Sequence, residues 1–191
     1  MPFELNKTVV MIGMMGAGKT AVGGAVARKL DVRFTDLDHE IEEASNLTIA
    51  ELFEKYGENY FREKETQVLT RLLEDPPHIL STGGGAYLFA RNRRVIARYG
   101  VALWLQADVE LLWSRVRNKS TRPLLKTENP LETLKALNEE RQPIYAMAPL
   151  QVRSLPAYTI DDMARQVITT LARHTDILPL TPTRKVNDHA K

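Results

Sequence analysis

Gly13-Met-Met-Gly-Ala-Gly18-Lys19-Thr20 matches the spacing G-x-x-x-x-G-K-[ST]. Glycines at these positions let backbone N–H groups turn inward around phosphate oxygens, and a helix that starts there adds its positive N-terminal dipole. Lys19 then reaches the β- and γ-phosphates, and the Thr20 hydroxyl is placed to ligate Mg²⁺. The pattern points to ATP as phosphoryl donor, held through Gly13, Gly16, Ala17, Gly18, Lys19, Thr20 and Ala21. The plain alternative is a glycine-rich turn with a surface lysine.

Many proteins with this loop carry a magnesium-binding Asp at the end of an apolar strand. The apolar run His78–Ser81 instead leads into Thr82 and Gly83-Gly84-Gly85. The carboxylates come earlier, as Asp36-Leu-Asp38. In extended chain, residues two apart point the same way, so both could face one pocket. One would hold Mg²⁺, directly or through water, and the other would accept a proton from a substrate hydroxyl. The alternative is a pair of N-cap residues opening a helix near His39.

Three further segments could grip an anionic acceptor. Arg62 precedes Glu65 by three residues, and Glu65 falls on the apolar face made by Phe61, Val68, Leu69 and Leu72. A carboxylate there needs a partner, and a braced arginine suits a bidentate grip on a carboxylate; a structural ion pair serves equally well. Gly83-Gly84-Gly85 allows close backbone approach to a ligand, or is a loose turn. Ser120 to Pro130 reads as a loop that could close as a lid, with Arg122 at the transferred phosphoryl group, or as a surface loop. Arg141, in Arg141-Gln-Pro-Ile-Tyr145, reads on pattern alone as a solvated helix residue, with Pro143 bending or breaking the helix. His39, His78, His174 and His189 form no ligand spacing, and Trp104 and Trp113 read as core or helix-face residues.

These residues must be held by strands that alternate with helices. Apolar runs predict strands at Thr8–Ile12, Val32–Thr35, His78–Ser81, Val101–Leu105 and Leu150–Arg153. Between them, four-residue periodicity predicts a helix after Thr20, and a capping box of Thr48 with Glu51 opens another. Further helices are expected over Glu58–Glu74, Val109–Arg117, Leu131–Tyr145 and Asp161–His174. That order implies a parallel α/β sheet covered on both faces, with ligands beyond the carboxyl ends of its strands.

Composition narrows the class. The 191 residues suit one domain, expected over 1–175 with the lid near 119–130 and a polar, disordered tail over 176–191. The absence of cysteine excludes disulfides, thiolate metal sites and cysteine nucleophiles. A net charge of +2 gives no ground for nucleic-acid binding. Residues 1–7 lack a basic start followed by an apolar stretch, and no apolar run is long enough to span a bilayer, so a cytoplasmic protein without membrane contact is expected, as a monomer.

The motifs in this order, from the phosphate loop through Asp-x-Asp, Phe-Arg-x-x-Glu, Gly-Gly-Gly and Arg-Pro-Leu-Leu to Arg-x-Pro-x-Tyr, resemble shikimate kinase over about residues 9–170. The resemblance implies a five-stranded parallel sheet of the nucleoside-monophosphate-kinase kind and transfer of the ATP γ-phosphoryl group to the 3-hydroxyl of shikimate. It implies that Asp36 supports Mg²⁺, that Asp38 binds substrate hydroxyls and is the candidate base, and that Arg62 and Arg141 hold the shikimate carboxylate. Gly83, Gly84 and Gly85 would contact the same substrate, Phe53 and Phe61 would line its ring, Arg122 would contact phosphate, and Arg115 would lie near adenine. Gly24 stands where the family often has a basic residue, and nothing in the sequence explains it. A gluconate or nucleoside-monophosphate kinase, or a nucleotide-sensing module without catalysis, are the rival readings.

Overall fold

The computed structural model describes residues 5–118 and 127–179. Five strands, β1 (Thr8–Ile12), β2 (Phe34–Asp36), β3 (Ile79–Ser81), β4 (Gly100–Gln106) and β5 (Leu150–Arg153), form one parallel sheet in the order β2-β3-β1-β4-β5. β1 is central: Val9 pairs with Ile79 on one side and Val101 on the other. Every residue of β1 is buried, which is why its sequence is a continuous apolar run and not an alternating one. Helices α1 (Lys19–Leu30), α2 (Leu37–Ser45), α3 (Ile49–Glu74), α4 (Ala90–Tyr99), α5 (Val109–Val116), α6 (Pro130–Tyr145) and α7 (Ile160–Ala172) cover the sheet.

The expected capping box opens α3: Thr48 accepts from the Glu51 amide while Glu51 accepts from the Thr48 amide. Gly57, at φ 77° and ψ 175°, breaks the helical path, so the segment opened by Thr48 and the long run from Glu58 meet at a kink. α6 continues through Pro143 to Tyr145. The residue four before Pro143, whose carbonyl loses its helical partner, is the exposed Glu139, where water can serve instead. α4 was not among the individually expected helices. Four of its ten residues are arginine and only Asn92 and Ile96 are buried, so its faces are distinct but it offers too few apolar residues to read as a core helix.

The packed chain runs past residue 175. Ile177 and Leu178 are buried, the Asn6 amide donates to the Ile177 carbonyl at 2.9 Å, and Lys7 pairs with Asp176 at 2.8 Å. The boundary expected at 175 therefore falls inside packed chain; residues 180–191 lie outside the described residues, as does most of the expected lid.

The adjacent glycines of α1 differ in kind. A methyl group on Gly23 would meet the Phe34 ring at 2.9 Å and Ile79 at 3.4 Å, so Gly23 lets α1 lie close to β2 and β3. A methyl on Gly24 would meet only the Arg28 guanidinium, at 3.5 Å. Gly24→Ala should therefore stabilise the fold by about 0.5–1 kcal/mol. Gly23→Ala should destabilise it by about 1–3 kcal/mol. Urea melts of both variants, with opposite signs expected, check the distinction.

Candidate active site

The phosphate loop leaves β1 and enters α1. Gly16 and Gly18, at φ 82° and 93°, adopt left-handed backbone, which side chains with a Cβ rarely tolerate. Gly18 is the N-cap of α1, whose first turn carries no acidic residue, so nothing on the helix itself opposes an anion at its N-terminus. Lys19 folds back over the loop, its Nζ donating to the carbonyls of Gly13 at 2.9 Å and Met14 at 3.0 Å. Arg115, on α5, sits behind the loop: its guanidinium donates to the carbonyls of Gly16 and Ala17 and to Ser154 Oγ. The expected adenine neighbour is thus also a brace for the loop.

The two carboxylates differ from the extended-chain expectation. Asp36 ends β2 and is the N-cap of α2, accepting from the amides of Asp38 and His39, while Asp38 lies in the first helical turn. The N-cap alternative therefore describes Asp36 correctly, yet both residues line the same cleft as the phosphate loop. The Thr20 hydroxyl donates to Asp36 Oδ2 at 3.0 Å and lies 3.2 Å from Ser81 Oγ. Thr20, Asp36 and Ser81 are a cluster of hard oxygen donors of the kind Mg²⁺ takes. No group of three or more His, Cys, Asp or Glu side chains is assembled among the described residues. A magnesium ion here would thus take the remainder of its shell from water and phosphate, its usual habit. Burial pushes the Asp38 carboxyl above the usual range and the Asp36 charge adds to the rise, while Lys19 and Arg62 pull it back.

The triple glycine follows β3 and organises the rest. A methyl group built on Gly83 would lie 3.0 Å from Asp38 Oδ1; one on Gly84 would lie 3.6 Å from Arg141 Nη1; one on Gly85 would lie 2.8 Å from Arg62 Nη2. Each glycine thus faces a different one of the three charged residues expected to bind the acceptor, and a side chain at Gly83 or Gly85 would displace its neighbour.

Arg62 is held from several sides. Its Nη1 donates to both oxygens of the buried Glu65, at 3.0 and 3.1 Å, and its Nε to Glu58 at 3.3 Å. The guanidinium also lies over the rings of Phe61 and Phe89, at 5.0 and 4.8 Å. Burial raises the Glu65 carboxyl, and Arg62 is the main opposing influence. Phe53 packs on Phe61 with ring centroids 4.6 Å apart; Phe61 is buried, whereas Phe53 is partly exposed.

Arg141 is half-buried, not solvated. It shares a face of α6 with Tyr145 at i+4, and the Tyr145 hydroxyl donates to the Gly84 carbonyl. Tyr145 is buried against Trp104, which fixes that end of the helix over the glycines. Arg122 lies outside the described residues.

A cleft of about 660 Å³ joins the loop, Asp36, Asp38, Thr82, Gly83 and Gly84 to Arg115, Tyr158, Thr159, Ile160 and Met163. Tyr158 and Thr159 come from the turn between β5 and α7, and Ile160 and Met163 from the first turn of α7; sequence reasoning missed all four, along with Ser81. Two signals mark the segment: the turn follows the carboxyl end of a predicted strand, and Thr159-x-x-Asp162 has the capping-box spacing that opens α7.

A family model for shikimate kinase matches residues 15–172. The shikimate kinase of Cereibacter sphaeroides is 59% identical over 175 residues, covering 92% of this chain and 87% of the relative. That of Rhizobium meliloti is 48% identical over 169 residues, covering 88% of each chain. Among solved structures, shikimate kinase from Acinetobacter baumannii in complex with shikimate superposes with a TM-score of 0.79 at 38% identity, covering 85% of this chain and 91% of the other. A gluconokinase from Sinorhizobium meliloti, at 16% identity and a TM-score of 0.61, shares the fold.

The raised Asp38 carboxyl makes a stability prediction for the protein free of metal and nucleotide. The folded chain holds this proton more tightly than the unfolded chain does. The contribution to stability is therefore fully present below the unfolded value and is lost as pH rises through the folded one. Asp38→Asn, which cannot ionise, should melt above the wild type at pH 8, and the gap should close as pH falls through the carboxylate range. Each 1 kcal/mol reads as about 2–4 °C in Tm for a chain of this size. Thermal melts in chelator across pH 4–8 check this; a variant less stable at every pH would contradict it.

Proposed function

The chain belongs to the shikimate kinase family, and on that premise we propose that it transfers the γ-phosphoryl group of ATP to the 3-hydroxyl of shikimate, giving shikimate 3-phosphate and ADP on the route to chorismate and the aromatic amino acids. The observation that carries this reading is the triple glycine set against Asp38, Arg141 and Arg62 in turn. It puts one carboxylate and two guanidiniums around a surface that only backbone occupies, beside a phosphate loop. A small ring with one carboxylate and several hydroxyls fits that arrangement.

In this reading Arg62 and Arg141 grip the carboxylate from two helices, and the backbone of Gly83–Gly85 lies against the ring. Phe61 walls the ring on one side, with Phe53 behind it. Asp38 holds the reacting hydroxyl and takes its proton as the oxygen forms a bond to the γ-phosphorus and the bond to the ADP oxygen breaks. The raised carboxyl suits a group that must accept a proton. The transition state for this transfer is loose, so most of the gain comes from positioning and from fixed positive charge. The loop amides, the α1 N-terminus and Lys19 supply that charge, and Arg122, in the segment expected to act as a lid, would add to it. Gly13, Gly16, Ala17, Gly18, Thr20 and Ala21 would cradle the phosphates, with Arg115 and the Tyr158–Ile160 turn towards the base. Thr20 and Asp36, with Ser81 beside Thr20, would hold Mg²⁺, which would supply positive charge against the phosphates.

A coupled ADP-release assay offering shikimate, gluconate and nucleoside monophosphates in parallel tests the reading; stimulation by shikimate alone is expected, and stimulation by another acceptor without shikimate would overturn it. Arg141→Lys sharpens it. A planar guanidinium makes two parallel hydrogen bonds to a carboxylate, and an ammonium does not. Losing one charge-assisted bond of about 1.5–3 kcal/mol should raise the shikimate KM by on the order of tenfold or more. Arg62 remains, so binding weakens without vanishing, and kcat should hold if the carboxylate is gripped equally in ground and transition states. Saturation kinetics in each substrate check this; a selective rise in the ATP KM would move Arg141 to the phosphates.

A further inference from the structure

Asn92 on α4 has no exposed surface and touches neither the cleft nor the phosphate loop. Its amide nitrogen donates to Glu65 Oε2 at 3.3 Å and to the Ala86 carbonyl at 2.9 Å. Its Oδ1 accepts from the Thr66 hydroxyl at 2.7 Å. The orientation of the amide follows from its partners. The Glu65 carboxylate and the Ala86 carbonyl can only accept, so the NH₂ must face them and the oxygen must face Thr66.

These bonds join the two halves of the acceptor cradle. Glu65 and Thr66 lie on α3, which carries Arg62. Ala86 directly follows Gly85, the glycine that faces the Arg62 guanidinium. Arg62 Nη1 is spent on Glu65, which leaves Nη2, on the Gly85 side, for an acceptor. Any rotation of the Glu65 carboxylate would swing Arg62, and any slip between α3 and the Ala86 turn would change the spacing between Arg62 and the glycines. Asn92 opposes both at once.

We propose that Asn92 is a positioning residue for the acceptor: it fixes the aim of Arg62 through Glu65 and sets the spacing between Arg62 and the triple glycine. The inference rests on the functional reading above for the identity of the acceptor. The two remain separable, because wild-type turnover with shikimate is measured first: a failure of that reading appears in the wild type, a failure of this inference only in the variants.

Asn92→Asp is the test. It keeps the shape but replaces the donor with a carboxylate beside Glu65, whose charge Arg62 offsets and Asp38 opposes. Two carboxylates this close do not both ionise readily, and the new one competes for Arg62. At pH 8 the shikimate KM should rise by about tenfold, the loss of a charge-assisted bond, while the ATP KM stays within about twofold. As pH is lowered from 8 the pair takes up a proton, an O–H again faces Glu65, and the shikimate KM should return towards the wild-type value at the same pH. Thr66→Val, which leaves both acceptors of the amide in place, should shift the shikimate KM by no more than about threefold. A purely structural role would lower stability and move both KM values together, with no recovery as pH is lowered. That result, or an unchanged shikimate KM at pH 8, overturns the proposal. Should Asn92→Asp fail to fold, Asn92→Thr carries the same test. Its single hydroxyl can serve Glu65 or Ala86 but not both, so a selective rise in the shikimate KM supports the proposal and no rise overturns it.

Discussion

The central position of β1 is the constraint on which the site depends. A strand paired on both edges and covered on both faces must be apolar throughout, and β1 is. Parallel pairing then forces every strand to end at the same rim. β1 delivers the phosphate loop there, β2 delivers Asp36, β3 delivers the three glycines, and β5 delivers the Tyr158 turn. Residues far apart in sequence meet because they share a strand direction, before any side chain recognises another.

The rim concentrates charge that the fold alone would not favour. Asp38 is desolvated beside Asp36, and Glu65 is buried on the apolar face of α3. Neither arrangement is stabilising by itself, since burying a carboxylate is costly without a partner. Each is held by a cation that the proposed mechanism also uses: Lys19 acts on Asp38, and Arg62 acts on both. The core around β1 and α1 supplies the stability that such a site gives up, the usual balance between function and fold.

Much of this was legible in the sequence where the signal was local. The loop spacing, the Thr48 capping box and the run of β5 each depend on neighbouring residues, and each appears in the structure. The Arg62–Glu65 pair was legible too, because a carboxylate on an apolar helix face demands a partner within one turn. What failed to show was set by contacts across the chain. Asp36 and Asp38 were expected to share a pocket through strand geometry; they share it because a helix starts between them. Arg141 reads as solvated until Tyr145, on the same face, anchors to the Gly84 carbonyl. The wall from Tyr158 to Met163 carries only a capping box, which marks a helix start and not a ligand, and α4, crowded with arginine, hides the one asparagine that its neighbours bury.

The two sides of the cleft are therefore built by different means. The side proposed for the nucleotide is mostly backbone: loop amides, a helix N-terminus and carbonyls braced by Lys19 and Arg115. Backbone placement tolerates change in side chains, so this half can be shared by enzymes with different acceptors. The side proposed for the acceptor is made of side chains on α2, α3 and α6, each brought to a separate glycine by its own contacts. Its geometry depends on buried polar bonds, and these lose most when one partner is removed, because the other is left unsatisfied. A fold of this kind does not itself choose an acceptor. On the proposed reading the choice rests with the few buried bonds that aim two arginines and an aspartate at three adjacent glycines, and acceptor specificity should be the property most sensitive to changes behind the site.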